Sequence, residues 1–298
     1  MSKRNQSESK VLLGTTRMGG EVVLKMDDLL KHTLVVGGKG MGKTSFLMNL
    51  FNHHRDMCFP SVVFDSKGKL WDHAVNVSAE TDDPNVILVN SGSLQWMSVF
   101  DPLKGAKNPR TQLTSRLCKV IYESCQRSGI PLALPFPKWQ DPNAVRVFLK
   151  SLFPDGSYFQ GSVLIRKNAL NMPSALKKCM SLLVQIPDAA GSKAYGMLFF
   201  DQFLEAALAS APEVPYLVLV DHVWDFVSDR LNADVLKQLT ERRIGMVLST
   251  TYDELGKICR SSKGLYRTLL NNSGTVAAFV PDPGDPDYVI EAVADRLS

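Results

Sequence analysis

Short apolar runs recur along the chain, and most are bounded by polar or turn-forming residues. Their length of about four to eight residues is typical of strands that are buried on both faces of a sheet. Segments with helical spacing, such as 44–55 and 285–297, lie between or after them. This alternation predicts βαβ units and a mainly parallel sheet, and therefore an α/β fold. The predicted strands are 33–36, 61–65, 85–90, 216–227, 244–252 and 275–280.

The pattern is weaker at the start and in the middle of the chain. We predict a disordered arm at 1–15, because "MSKRNQSESK" is charged and low in hydrophobicity, followed by one nucleotide-binding domain at 16–298. A short strand at 21–26 should lead into the strand at 33–36. From about 100 to 187 the strand signal fades, and we predict a mainly helical insertion with helices at 111–127, 142–152 and 172–186.

The predicted strand at 33–36 runs into a glycine-rich loop. Gly37-Gly38-Lys39-Gly40-Met41-Gly42-Lys43-Thr44 matches G-x-x-x-x-G-K-[ST] at every fixed position, and Ser45 follows it in the next helix. Glycines let the backbone approach phosphates closely, so that backbone N–H groups and the helix N-terminus face the negative charge. Lys43 would contact the β and γ phosphates of ATP, and Thr44 would bind Mg²⁺. With at least four further strands, the motif predicts a RecA-like P-loop NTPase.

A second acidic position is needed to orient the Mg²⁺ of a hydrolysed nucleotide. Asp221 ends the apolar strand "YLVLVD" and is the predicted metal carboxylate. The next residue, His222, could take a proton from water, since a free histidine titrates near neutral pH, or could mark the loss of hydrolysis. Asp65, at the end of another strand, is a further candidate for the catalytic base; Asp225 is a weaker one, better explained as a surface helix position.

Composition limits the class of protein without identifying it. The 298 residues are 45% hydrophobic, which is enough to bury a large core. A formal net charge of +4 permits nucleic-acid binding but does not indicate it. The five cysteines form no C-x-x-C pair, which is typical of free thiols in a reducing cytoplasm. We see no signal peptide or membrane-spanning run, so we expect a cytoplasmic protein, peripheral at the inner membrane if it docks there.

The motifs, in their order, resemble those of the FtsK/HerA superfamily. His32 and the P-loop, "VVFDSKGKL", "VLVDHVWDF", "ERRIGMVLSTTYDEL" and "LLNNSGTVAAF" are most similar to its type IV secretion branch, the coupling proteins and conjugation ATPases. The resemblance covers roughly residues 20–70 and 200–285. It implies a homo-oligomeric ring, typically a hexamer, that uses ATP and Mg²⁺ to move DNA or protein substrates into a secretion channel beside membrane partners.

The same resemblance implies roles for further residues. Arg242 and Arg243 stand where the family has a basic pair, one of which would face a neighbouring subunit's γ-phosphate. Tyr252 stands where we place the family's glutamine sensor of the γ-phosphate, and His222 replaces its glutamate. These two departures leave two functions open, a motor ATPase or an assembly subunit that binds nucleotide and scarcely hydrolyses it. A small-molecule kinase is disfavoured, because we find no compact arginine-rich lid.

Overall fold

The computed structural model describes residues 10–15, 20–81, 83–90, 170–186, 192–210 and 212–297. The predicted helices at 111–127 and 142–152 lie outside these residues.

Seven strands of the described residues form one parallel sheet: β3 (Thr33–Val36), β4 (Ser61–Asp65), β5 (Val86–Asn90), β6 (Ser181–Gln185), β7 (Tyr216–Asp221), β8 (Ile244–Thr250) and β9 (Thr275–Ala278). Their order across the sheet is β5-β6-β4-β7-β8-β3-β9. The P-loop strand β3 therefore lies inside the sheet, between β8 and β9, and the RecA-like α/β prediction is confirmed.

Helices cover both faces of the sheet. On one face α1, α2 and α3 pack over side chains such as Val35, Val63 and Leu219, and on the other face the remaining helices pack over Phe64 and its neighbours. Burial on both faces explains why the central strands are continuous apolar runs. The helices are α1 (Met26–Leu29), α2 (Lys43–Asp56), α3 (Lys69–Ala79), α4 (Met172–Lys177), α5 (Ser192–Ala209), α6 (Ala233–Glu241), α7 (Tyr252–Ser261), α8 (Lys263–Asn271) and α9 (Asp287–Leu297).

One predicted helix is half strand. The prediction of a helix over 172–186 is right for α4 but wrong for β6, which lies between β5 and β4. The chain leaves the helix at Cys179, which has a left-handed φ of 55°. Residues 181–185 thus belong to the core sheet rather than to a helical insertion.

The start of the chain is also more ordered than predicted. Residues 10–15 form strand β1 (Lys10–Thr15), which pairs antiparallel with β2 (Glu21–Lys25), so the disordered-arm prediction is wrong for this part. Val11 is fully buried in the core. One buried apolar contact of this kind, together with the strand pairing, holds a segment whose composition alone suggests disorder.

Candidate nucleotide-binding site

The carboxyl ends of three adjacent strands converge at one edge of the sheet. Val36, which ends β3, is paired in register with Thr250, which ends β8. On the other side of β8, Val220 is paired with Leu248, so Asp221 lies beside Ser249. In open parallel sheets, ligands bind in the crevice outside these strand ends. This places the P-loop, Asp221 and the turn after β8 around one crevice.

The P-loop conformation depends on its glycines. Gly40 and Gly42 have φ angles of 77° and 95°, in the left-handed region that glycine adopts without strain. A Cβ atom at Gly37 would come within 2.5 Å of the Phe279 Cβ atom, and one at Gly38 within 2.6 Å of the Asp282 Oδ1 atom. The loop is therefore pressed against the segment that follows β9.

Lys43 folds its amine over the loop. Nζ donates hydrogen bonds to the carbonyl oxygens of Gly37 at 2.9 Å and Gly38 at 2.7 Å. Burial lowers the pKa of Lys43, and the nearby charges of Asp221, Glu254, Asp282 and Asp285 oppose this without cancelling it. A phosphate would supply the compensating negative charge that the buried amine lacks.

Thr44 and Asp221 form the polar centre of the crevice. The Thr44 hydroxyl donates a 2.8 Å hydrogen bond to Asp221 Oδ2, and the Ser249 hydroxyl donates one of 2.9 Å to Asp221 Oδ1. A hydroxyl and a carboxylate are hard oxygen donors, and Mg²⁺ is commonly held by one or two such groups together with substrate phosphates. The residues therefore fit Mg²⁺, which Thr44 and Asp221 would hold and which would offset the negative charge of the phosphates.

The rest of the predicted P-loop residues lie around this centre. The Lys39 backbone N–H donates a 2.6 Å hydrogen bond to Asp282 Oδ2. Met41 is 42% exposed at the tip of the loop. Ser45 is exposed in the first turn of α2, where backbone N–H groups without a partner within the helix are available to an anion.

His222 lies next to the metal carboxylate. Its φ of 61° turns the chain sharply at the end of β7, and its Nδ1 atom lies 3.3 Å from Glu254 Oε1. Burial lowers the pKa of His222, but the hydrogen bond to Glu254 and the charges of Asp221, Glu254 and Asp225 outweigh it, so the pKa is raised overall. The imidazole therefore belongs to an acidic cluster at the crevice.

Glu254 was not singled out by sequence reasoning. It is the third residue of α7 and completes a capping box: the Thr251 hydroxyl accepts from the Glu254 N–H, and Glu254 Oε2 accepts from the Thr251 N–H at 3.1 Å. The Thr250 hydroxyl donates to the same oxygen at 3.2 Å. The T-x-x-E pattern after β8 could have indicated this cap, although not its closeness to His222.

Asp65 is not directed at the P-loop. It is paired in register with Asp221, but its Oδ1 atom accepts the Lys67 N–H at 2.8 Å and its Oδ2 atom accepts the Trp71 N–H at 2.9 Å. Both oxygens thus accept hydrogen bonds at the start of α3, and the catalytic role of Asp65 stays a prediction. Asp225, predicted to be a surface position, is instead buried and accepts a 2.7 Å hydrogen bond from the Ser66 hydroxyl.

Arg242 and Arg243 lie at the opposite edge of the sheet. They immediately precede β8, whose seven residues separate them from the P-loop edge by roughly 20 Å at about 3.3 Å per residue. Arg242 Nη1 donates to the Gln238 carbonyl at 3.0 Å, and the Arg243 carbonyl accepts from the Tyr216 N–H at 2.9 Å. They do not reach their own chain's P-loop, so only the predicted role toward a neighbouring subunit stays open.

Tyr252 is not at the end of the strand. β8 ends at Thr250, and Tyr252 begins α7 with its side chain buried. Its hydroxyl donates a 3.0 Å hydrogen bond to the Phe279 carbonyl oxygen. The strand-end position expected of a γ-phosphate sensor is therefore occupied by Thr250, two residues before Tyr252, and the sensor role of Tyr252 stays a prediction.

A protein-family model matches part of the chain. Residues 17–107 match the family described as the type IV secretion-system coupling protein DNA-binding domain. Among curated protein sequences, no relative matches the chain. In the described part of the chain, no helix is both long and apolar enough to cross a membrane.

Solved structures share the fold at low sequence identity. VirB4 of Thermoanaerobacter pseudethanolicus superposes with a TM-score of 0.58 and 14% identity, covering 100% of this chain and 90% of VirB4. The bacterial conjugative coupling protein TrwB, in complex with sulphate, gives 0.61 and 13%, covering 89% of this chain and 73% of TrwB. TrwB in complex with ADP and Mg²⁺ gives 0.55 and 14%, covering 88% and 72%. The predicted resemblance is therefore confirmed: residues 17–107 match the coupling-protein family model, and the fold is shared with VirB4 and TrwB.

Proposed function

We propose that this protein is an ATP-driven motor of type IV secretion or conjugation, which binds ATP and Mg²⁺ at the P-loop and hydrolyses the nucleotide to move its substrate. The observation that carries the proposal is the direct hydrogen bond between Thr44 and Asp221. It joins the two halves of a magnesium–nucleotide site that the sequence places 177 residues apart.

The residues of the crevice have complementary tasks in this proposal. The P-loop amides and Lys43 bind the phosphates, while Thr44 and Asp221 hold the Mg²⁺. Ser249 fixes the second oxygen of Asp221, which orients the carboxylate toward Thr44. His222 directly follows Asp221, at the position where the resemblance implies the family's glutamate.

The partners follow from the likeness to coupling proteins and conjugation ATPases. We place the protein in a homo-oligomeric ring on the cytoplasmic side of the inner membrane, beside secretion proteins that span it. Arg242 or Arg243 would then face the nucleotide of the neighbouring subunit. Both arginines lie at the edge of the sheet away from their own P-loop, so they could contact a nucleotide only across a subunit boundary. DNA is the substrate that the matched coupling-protein domain favours.

A second function remains in competition, a nucleotide-binding assembly subunit without turnover. The specific observation in its favour is that His222, and not a carboxylate, directly follows the predicted metal carboxylate Asp221. In that case the crevice would hold ATP as a structural ligand.

Steady-state ATP turnover separates the two functions. The wild-type protein and Lys43→Ala would be assayed with and without single- and double-stranded DNA, up to protein concentrations at which rings form. The motor predicts turnover that is lost in the variant and rises with DNA. Tight ATP binding without turnover under all these conditions would refute the motor and favour the assembly subunit.

A further inference from the structure

The crevice contains more than one carboxylate besides the metal ligand. Four acidic residues are close enough to Lys43 for their charges to raise its pKa: Asp221, Glu254, Asp282 and Asp285. Asp221 is held by Thr44 and Ser249 in the metal position. Asp282 accepts from the Lys39 N–H, and Asp285 accepts from the Asp282 N–H, so both belong to the segment after β9.

Glu254 differs from these in position. It lies in the turn after β8, and β8 is the strand between β7, which carries Asp221, and β3, which carries the P-loop. The Gly37 N–H donates to the Thr250 carbonyl at 3.3 Å, which ties this turn to the start of the loop. Glu254 therefore faces the crevice from the side between the metal carboxylate and the phosphate loop.

Its two oxygens have different surroundings. Oε2 accepts from the Thr250 hydroxyl and the Thr251 N–H, which fixes the carboxylate in one orientation. Oε1 points to His222 Nδ1 at 3.3 Å. The side chain is 17% exposed, so water reaches a carboxylate that is otherwise buried.

We propose that Glu254 is the catalytic carboxylate of the ATPase, taking the place of the glutamate that His222 replaces; this inference rests on the proposed function. Oε1 orients the attacking water, and His222 positions that oxygen. The water oxygen forms a bond to the γ-phosphorus, and the bond from the γ-phosphorus to the bridging oxygen breaks. The bonding electrons leave with ADP, and the proton of the water passes to Glu254 and then to solvent.

The ionisation of Glu254 suits this role. Burial raises the pKa of Glu254. The hydrogen bond and charge of His222, with the hydrogen bonds from Thr251 and Thr250, lower it by more than burial raises it, so the pKa falls below its usual value. Glu254 is therefore ionised at neutral pH, which is the form that can orient a water molecule. A carboxylate supplied by the turn after β8 thus compensates for its absence after Asp221.

Glu254→Gln tests the proposal without disturbing the helix cap. Glutamine also serves at the third position of a capping box, so the fold is retained while the charge and basicity are lost. We expect kcat to fall by about 10²- to 10⁴-fold, the usual effect of losing a general base, with KM changed less than about threefold. Asp253→Asn is the matched control, because within the described part of the chain this neighbouring carboxylate forms an ion pair with Lys257 at 2.6 Å and not with His222.

A binding measurement accompanies the kinetics. The affinity for ADP with aluminium fluoride and Mg²⁺, a mimic of the transition state, should weaken at least about tenfold in Glu254→Gln. The affinity for ADP alone should not change, and the melting temperature should fall only slightly, through the weakened contact with His222. The Asp253→Asn variant should match the wild type in every measurement.

Three results would overturn the proposal, each in a different way. Wild-type kcat in Glu254→Gln would show that Glu254 only caps α7. A loss of ADP affinity or melting temperature parallel to the loss of kcat would show a structural role. Absence of turnover in the wild-type protein would instead refute the proposed function itself, and this inference with it.

Discussion

Acid should destabilise this protein through one histidine of the P-loop helix. His54 lies on α2, is fully buried, and contacts the Ser61 hydroxyl through Nδ1 at 3.0 Å. Burial lowers the pKa of His54 to about 3, with only a smaller opposing effect from the backbone of Phe59. The folded protein therefore holds His54 neutral at pH values where an unfolded chain protonates it.

The sign and size of the effect follow from these two values. The unfolded histidine titrates near 6.5, so between pH 6.5 and about 3 the unfolded state binds more protons and stability falls as the pH falls. From pH 7 to 4.5 the free energy of unfolding should drop by about 2.5 kcal/mol through His54 alone, at about 1.36 kcal/mol per unit of pKa difference.

Urea unfolding at pH 7.0 and 4.5 measures this contribution. His54→Gln removes the titrating group, so the variant should lose about 2.5 kcal/mol less than the wild type between these two pH values. His53→Gln, at the neighbouring and more exposed position, is the control and should lose as much as the wild type. Equal losses in wild type and His54→Gln, within about 0.5 kcal/mol, would refute the reasoning, because a histidine buried as neutral must contribute to this difference.

Two further substitutions test the surroundings of the P-loop. Asp282→Asn keeps an acceptor for the Lys39 N–H but removes a negative charge near the phosphates, so ATP should bind about three- to tenfold tighter in a titration; weaker binding would contradict the electrostatic argument. Tyr252→Phe leaves the Phe279 carbonyl without its 3.0 Å partner and should cost about 1 kcal/mol in thermal unfolding, while ATP turnover stays within about twofold of the wild type. A large loss of turnover in Tyr252→Phe would support the predicted sensor role.

Much of the fold could be predicted from local patterns. The strand before the P-loop, β3, and the strand that ends at Asp221, β7, are continuous apolar runs because both faces of the sheet are covered. Such runs can be recognised in the sequence without knowing which strands they pair with. β6 was missed because only three residues separate it from the end of helix α4. The left-handed turn at Cys179, which separates the two elements, is not visible in the apolar pattern. β1 was missed because its stability comes from its pairing with β2 and from the burial of Val11, neither of which composition reveals.

In the site, too, some residues could be predicted from local motifs and others depend on contacts between distant segments. Lys43, Thr44 and Asp221 could be predicted because each belongs to a motif that the chemistry of phosphates and Mg²⁺ constrains. Glu254 could not, because its nearness to His222 depends on β7 and β8 being neighbours in the sheet. For Asp65 the strand end was correctly predicted, but the sequence does not show that its side chain turns toward the start of α3.

Asp221→Asn tests the central claim most directly. The substitution keeps the shape of a side chain that is 2% exposed and removes the charge that would hold Mg²⁺. The account predicts that Mg²⁺-dependent ATP turnover falls by about 10²-fold or more while the protein stays folded, since a preorganised group that stabilises transition-state charge is lost. Turnover equal to that of the wild type, with the same dependence on Mg²⁺, would show that the contact between Thr44 and Asp221 is not the metal site.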